Sequence, residues 1–517
     1  MKVFQILFTF LVAFTSVNAV RQCAKLFNSG SEPRIECLCN STYCDEFPPL
    51  GNLNNDQAAV YKSSISGKRF EKSVLSFGNS FEQERAQTIQ ATFDSGKTYQ
   101  TMTGFGAAFT DACGINLDQL SEKTRDNFIE AYFGSSGIGY SLGRVPIAST
   151  DFSTHPYSYN DHDGDFNMDN FALTFEDHQY KIPYIKNALS KNKKLQLFST
   201  PWAAPGWMKT NNNMVGHGEL KGDVGGQYYQ AFALYQYKFF EAYQKEGINF
   251  WGLTILNEPF SNGGWQIMSM TAEQERDFIK KNLGPLFKSK DLTKNLKVMI
   301  HDDQRPVMLD FVNTVLGDKD AAKYVDGMAV HYYEDLGTDP HILTDVHNAH
   351  SDKFILATEA CTGWNADGMH GDWQRALIYS YDIITDIENW ATGWVDWNIC
   401  LDTTGGPTWI NNFVDAPITV TKTGNDEFYK QPMYYALGHF SKFVQPGAKR
   451  VDLTTNNGVS GDYLKYLGFN GDNKNVAVFD NRQSSDTYNI ELKDKKTGKV
   501  VKFDMEPRSY ATVVWNA

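Results

Sequence analysis

Residues 250–260 read FWGLTILNEPF, an apolar run of aromatic and β-branched residues that breaks at Asn257-Glu258-Pro259. A run of that length and ending reads as a buried strand of a parallel sheet. Pro259 has no N–H with which to extend a ladder, so the chain must turn there. The turn leaves an amide and a carboxylate side by side at a strand's C-terminal end, where (β/α)₈ barrels gather reactive groups. A second run, KFILATE (353–359), ends the same way, in Glu359 before Ala360-Cys361. Two barrel strands each ending in a glutamate put a pair of carboxylates over one cavity, the equipment of glycoside hydrolysis.

Working outward, short apolar runs recur at 102–110, 138–147, 194–200, 250–257, 297–302, 327–331, 353–359 and 391–397. Between them lie helical stretches with recognisable ends. Tyr228, Phe232, Tyr235, Phe239 and Tyr243 recur at three- and four-residue steps before a stop at Gly247. Thr271 and Gln274 form a capping box opening a helix that is expected to end near Gly284, and Asp372 caps one running towards Trp390. Eight strands alternating with helices predict a (β/α)₈ TIM barrel.

Both ends of the chain depart from this alternation. Past Ala448, period-two pieces follow one another with turns expected at Asn470-Gly471 and Thr497-Gly498, which reads as an antiparallel β module. Residues 50–97 have β-prone pieces without a helical period and are expected to join that module. The division expected is a barrel over 98–398 and 428–447 and an accessory β-sandwich over 50–97 and 448–517.

At 517 residues, 41% of them apolar, the chain can bury a large core. A net charge of −13 with no basic patch argues against nucleic acid as a partner. Residues 1–19 carry one Lys, an apolar stretch, and Val17 and Ala19 at the −3 and −1 positions of a cleavage site, which reads as a secretory signal peptide. Cys23, Cys37, Cys39 and Cys44 follow at once and admit three connectivities. Two local bridges, Cys23–Cys37 and Cys39–Cys44, are preferred, because Cys37 and Cys39 flank one residue and would point alike. Cys113, Cys361 and Cys400 fall on apolar stretches and read as buried thiols. Asn40-Ser41-Thr42 is an N-glycosylation sequon within the cysteine cluster.

The stretches CLCNSTYCD (37–45), GFGAAFTDA (104–112), GIGYSLGRVPIASTDFS (137–153), NEP (257–259), DDQR (302–305), AVHYY (329–333), TEAC (358–361), GWVDWN (393–398) and FYKQPMYYALGHFSKF (428–443) resemble glycoside hydrolase family 30. The resemblance runs through nearly all of the chain past residue 19. It implies a barrel core, a β-sandwich built from both termini, and a cysteine-rich segment, 20–49, joined with 399–427 in a small β unit. It also implies hydrolysis of the β-glucosidic bond of glucosylceramide in the lysosomal lumen. By the same resemblance Glu258 is the general acid/base, Glu359 the nucleophile, and Asp151, Trp202, Asn257, Trp397 and Asn412 the sugar contacts. Arg144, His331 and Tyr333 match the residues around the nucleophile.

The residue types suit those roles. Two like charges about 5 Å apart cannot both ionise cheaply, so one of the pair is expected to titrate high. Arg144 and the Tyr333 hydroxyl could keep Glu359 charged, and Asn257 could hold the sugar's 2-hydroxyl. His331 belongs to no metal-ligand spacing, and neither a metal nor a cofactor is expected. The loops 260–270 and 361–373, which should line the mouth and whose Trp265 and Trp364 are candidates to touch a membrane or to pack inside, are shorter than in vertebrate members, which leaves open a relative acting on polymeric xylan or β-1,6-glucan. A third reading, an inactive secreted glycolipid-binding protein, has no support in the sequence, since both carboxylates and their neighbours are present. The partners expected are glucosylceramide or a related β-glucoside and an anionic membrane surface. A small saposin-type activator is implied by the resemblance. With a sequence pI near 5.4, repulsion from an anionic surface should fade near pH 5.

Overall fold

The computed structural model describes residues 20–78, 88–364, 368–422, 424–456 and 463–517. The signal-peptide reading of residues 1–19 lies outside them. Eight parallel strands close into a barrel: β1 (Gly104–Ala108), β2 (Leu142–Ile147), β3 (Gln196–Pro201), β4 (Gly252–Thr254), β5 (Lys297–Gln304), β6 (Gly327–His331), β7 (Phe354–Glu359) and β8 (Ala391–Asn398). Each falls within or overlaps one of the eight apolar runs. Leu142, Phe198, Met299, Ala329, Leu356 and Val395, one from each of six strands, form a separate buried cluster that fills the bore. The closing seam joins β8 to β1 with Gly393 opposite Gly104. A Cβ on Gly393 would meet the Gly104 carbonyl oxygen at 2.1 Å, so the seam admits only glycine there.

The strand expected from residues 250–257 is regular only over Gly252–Thr254. Beyond it the chain keeps single bonds to its neighbours: Asn257 N–H donates to the Pro201 carbonyl (2.9 Å) and Glu258 N–H to that of Asp302 (3.0 Å). Glu258 itself sits in the left-handed region at φ +42°, a conformation costing on the order of 1–3 kcal/mol for a non-glycine residue. The turn therefore begins before Pro259.

Asp372 accepts from Gln374 N–H and caps Trp373–Glu388. Gln227–Lys245 stops at Gly247, φ +80°. The helix opened by the Thr271–Gln274 capping box does not end near Gly284. It passes through a π-helical turn, Ile279–Leu283, and continues over Gly284–Lys288. Gly284 is there for packing rather than termination, since a Cβ would meet Tyr324 Cγ at 2.4 Å, and the wider turn accommodates Pro285.

A nine-stranded sheet combines Gln57–Ser64, Glu71–Ser76 and Thr88–Thr101 with strands from Lys449 to Asn516. It curls until its edges meet at a Gly78–Val500 bridge, around a core that includes Phe93, Ile490, Phe503 and Trp515. The turn expected at Asn470-Gly471 falls two residues later. Gly471 pairs with Lys474, and Asp472 and Asn473 take φ +48° and +58°, a two-residue turn whose twist matches the flanking strands. Buried His439, from the helix Pro432–Ser441, ties this sheet to the barrel through Ser63 Oγ (2.9 Å) and Thr512 Oγ1 (2.8 Å).

A five-stranded sheet joins Lys25–Asn28 and Arg34–Asn40 to Glu427–Lys430, Ile418–Val420 and Leu401–Asp402. Disulfides Cys23–Cys37 and Cys39–Cys44 staple its N-terminal part. The Asn40 side-chain oxygen accepts from Thr42 N–H, Thr42 Oγ1 and Tyr43 N–H, which shapes the sequon as a tight turn.

Candidate active site

The C-terminal ends of the strands are not regular. Register shifts fall at Asp302 between β5 and β6, at Thr358 between β6 and β7, and at Trp397 between β8 and β1. Such irregularities re-aim side chains next to a site. Asp302 (φ +52°) and its neighbour His301 (φ +78°) take the left-handed conformation as well. The result is a cavity of about 450 Å³ over the barrel, lined by Asp151, Trp202, Asn257, Glu258, Tyr333, Glu359, Trp397 and Asn412.

Arg144, from β2, lies fully buried beneath this cavity and organises its floor. Its guanidinium binds Glu359 Oε2 through Nη1, Asn257 Oδ1 and Asp302 Oδ2 through Nη2 (2.8 Å each), and Thr200 Oγ1 through Nε (3.1 Å). It also lies 4.8 Å from the Trp202 ring and 5.6 Å from that of Trp397, two indoles stacked at 5.0 Å. Asp302 is a second hub. Besides Arg144 it accepts from Thr254 Oγ1 (2.6 Å), Thr358 Oγ1 (2.6 Å) and His331 Nε2 (3.1 Å). Burial would raise its pKa, but Arg144 and His331 outweigh burial and hold it well below the carboxylate range.

His331 donates its other nitrogen, Nδ1, to Glu258 Oε1 (3.0 Å), which also accepts from Gln304 Nε2 (3.0 Å). Burial alone would neutralise this imidazole. The carboxylates of Glu359, Asp302 and Glu258 overcome it and lift its pKa to about 10. An imidazolium with both N–H groups engaged has no lone pair for a metal.

Glu359 receives the Tyr333 hydroxyl on Oε1 (2.8 Å) and Arg144 on Oε2. Burial pushes its carboxyl up, His331 and Arg144 pull it back, and Glu258 adds to the push. One oxygen each of Glu258 and Glu359, with a His331 ring nitrogen, all lie within 4.8 Å of one another. At the far wall Asn412 Nδ2 donates to Asp151 Oδ2 (2.9 Å), and burial lifts Asp151 to about 7 against that bond.

The ten residues singled out in the sequence thus meet in one place, eight on the cavity wall and Arg144 and His331 beneath it. Asp302 and Gln304 were not singled out. Asp302 carried the same signal as the two glutamates, an acid at the end of a barrel strand, KVMIHD. Gln304 carried none. The mouth also has an apolar rim, to which the structure adds Phe260 and Val307: Phe260 and Trp364, each 49% exposed, and Val307, 43% exposed, line the cavity. Trp265 lines it too, partly buried.

A closed (β/α)₈ barrel with two close carboxylates at its C-terminal mouth has the equipment of a glycoside hydrolase. Residues 102–444 match the glycosyl hydrolase family 30 TIM-barrel domain, and the chain belongs to that family. It is 46% identical over 491 residues to the Caenorhabditis elegans "putative glucosylceramidase 4", covering 93% of each chain. It is 39% identical over 462 residues to mouse lysosomal acid glucosylceramidase, covering 87% of this chain and 88% of the mouse protein. Among solved structures, SrfJ of Salmonella typhimurium superposes with a TM-score of 0.82 at 26% identity, covering 89% of this chain and all of SrfJ. An endo-β-1,6-glucanase superposes with a TM-score of 0.80 at 27% identity, covering 89% of this chain and 99% of the glucanase.

Proposed function

We propose that this protein hydrolyses the β-glucosidic bond of glucosylceramide with retention of configuration, by double displacement at acid pH. The observation that carries the reading is the closeness of the two carboxylates, whose nearest oxygens lie within 4.8 Å. Retaining enzymes hold their carboxyl groups about 5–5.5 Å apart, whereas inverting ones need roughly 6.5–9.5 Å to seat a water between carboxylate and sugar. Glu359, fixed by Arg144 and Tyr333, attacks the anomeric carbon and forms a glycosyl-enzyme. Glu258, steered by His331 and Gln304, gives a proton to the departing ceramide oxygen and then takes one from the water that releases glucose. Asn257, held by Arg144, faces the 2-hydroxyl. Asp151 and Asn412 take hydroxyls on the far side, and the Trp202–Trp397 pair offers an aromatic face.

The exposed Phe260, Val307 and Trp364 favour a ceramide over a polar aglycone, because an apolar rim gains nothing from hydrated sugar units. They also favour work at a membrane surface, since a two-tailed lipid does not readily leave a bilayer. The mouse relative supports a lysosomal lumen, and a saposin-type activator would fit extraction of the lipid. Among the described residues no helix is long and apolar enough to cross a membrane. The likeness to the endo-β-1,6-glucanase sustains the second reading, a polymeric β-glycan.

One experiment separates the two. The secreted protein is given glucosylceramide in detergent and a soluble β-1,6-glucan at pH 5, and the first sugar product is followed by proton NMR. Release of β-glucose from the lipid alone is expected. α-Glucose as the first product would overturn retention, and preferential cleavage of the glucan would overturn the lipid assignment.

A further inference from the structure

Cys113 and Cys400 belong neither to the N-terminal bridges nor to the cavity wall. Cys113 lies on the helix Asp111–Asp118 that follows β1, and Cys400 lies two residues past the end of β8. In sequence they are 287 residues apart, yet their Sγ atoms stand at 3.2 Å. That is closer than two thiol sulfurs ordinarily pack, and little more than about 1 Å beyond a disulfide bond length. Both are buried, at 2% and 0% exposure.

The backbone on each side is pinned across the same seam. Thr110 Oγ1, the cap of that helix, accepts from Cys113 N–H (3.3 Å) and donates to Asn398 Oδ1 (2.8 Å). Ile399 N–H donates to the Ala108 carbonyl (3.2 Å), and the Ile399 carbonyl accepts from the Tyr132 hydroxyl (2.7 Å). Further along the helix, Asn116 Nδ2 holds the Gly406 carbonyl (2.9 Å). The backbones that carry the two sulfurs are therefore held together by three hydrogen bonds between the chain around β1 and the chain leaving β8, and Tyr132, from the next helix, adds a fourth. The remaining thiol, Cys361, packs in a separate cluster with Trp202, Trp397 and Tyr333.

We propose that Cys113 and Cys400 form a third disulfide, which locks the barrel across the seam where its last strand meets its first. The two N-terminal bridges already mark an oxidising compartment. The oxidant is a protein disulfide of the thiol–disulfide exchange class. The thiolate of one cysteine attacks it, forming a mixed disulfide and releasing one thiol. The thiolate of the other then attacks the mixed disulfide, forming the Cys113–Cys400 bond and releasing the second. Two electrons and two protons leave the pair, and the oxidant ends as two thiols. Exchange takes place before the seam closes, since neither sulfur is accessible afterwards. A bond spanning 287 residues restricts the unfolded chain far more than the N-terminal bridges, which span 14 and 5.

The test uses the wild-type protein secreted from eukaryotic cells. It is unfolded in guanidinium with iodoacetamide and without reductant, and alkylated thiols are counted by intact mass. One is expected, Cys361. Proteolysis should then yield the Cys113 and Cys400 peptides joined and lighter by two hydrogens than their sum. Three alkylated thiols, or either cysteine in another pairing, would overturn the proposal. The double variant C113S/C400S should also show one thiol and lose activity at elevated temperature roughly tenfold faster than wild type. Equal inactivation half-lives would overturn the locking role.

Discussion

Replacing Tyr333 by Phe removes one atom from the site and keeps its packing. The ring lies against Trp364 (5.7 Å) and His331 (6.2 Å), contacts that phenylalanine retains. What is lost is the hydroxyl donated to Glu359 Oε1 at 2.8 Å, a part-buried bond on the cavity wall. A hydrogen bond to a charged acceptor is worth about 1.5–3 kcal/mol. It favours the ionised carboxylate, so it works with Arg144 and His331 against burial, and its loss raises the Glu359 pKa further. Glu359 attacks only when ionised. The acid limb of kcat/KM therefore moves to higher pH, and at a pH on that limb the variant loses roughly 10- to 100-fold. On the plateau, where the carboxylate is ionised in both proteins, the loss should stay below about fivefold. The assay is kcat/KM for a fluorogenic β-glucoside across pH 3.5–8, since a good leaving group keeps proton donation from limiting the rate. A loss of the same factor at every pH, with the limb unmoved, would refute the reasoning.

The other predictions test the remaining assignments. Glu258→Gln should lose roughly 10²–10⁴-fold with leaving groups that need a proton and little with those that do not, whereas Glu359→Gln should abolish turnover for all. Equal losses for both variants across a leaving-group series would contradict the division of roles. Burial raises Asp151 and Asp303 to about 7 and Glu275 to about 8. The stability from these protons is complete below the unfolded values and is lost as pH rises through 7–8. His301 and His439, lowered to about 4 and 3, act in the opposite sense below pH 6.5 but are outnumbered. The thermal midpoint should be higher at pH 5.5 than at 7.5, by a stability on the order of 3 kcal/mol, and a midpoint that rises with pH would contradict this. Co-sedimentation with anionic liposomes should increase from pH 7 to pH 5 and weaken in Phe260→Ser and Trp364→Ser variants; binding indifferent to both changes would remove the membrane-facing role of the rim.

Much of this protein is legible in its sequence because the signals are local. A strand that is apolar throughout, an amphipathic helix with its cap, and an acid stranded at a strand end each announce themselves within a few residues. That is why the eight barrel strands, Glu258 and Glu359 could be read without coordinates. Where a local signal had two physical meanings, the tertiary structure chose between them. Gly284 could end a helix or admit a close neighbour, and Tyr324 decided for the neighbour. Gly471 could make a turn or sit in a strand, and the pairing with Lys474 placed it in the strand. Other features had no local signal at all. The bulges at Asp302, Thr358 and Trp397 depend on how neighbouring strands stagger as the barrel closes. The joining of Arg144, Asp302 and His331 in one cage and the meeting of Cys113 with Cys400 depend on the same closure. Side chains up to 287 residues apart come within bonding distance only once β8 is hydrogen-bonded to β1, and no short window of sequence contains that fact.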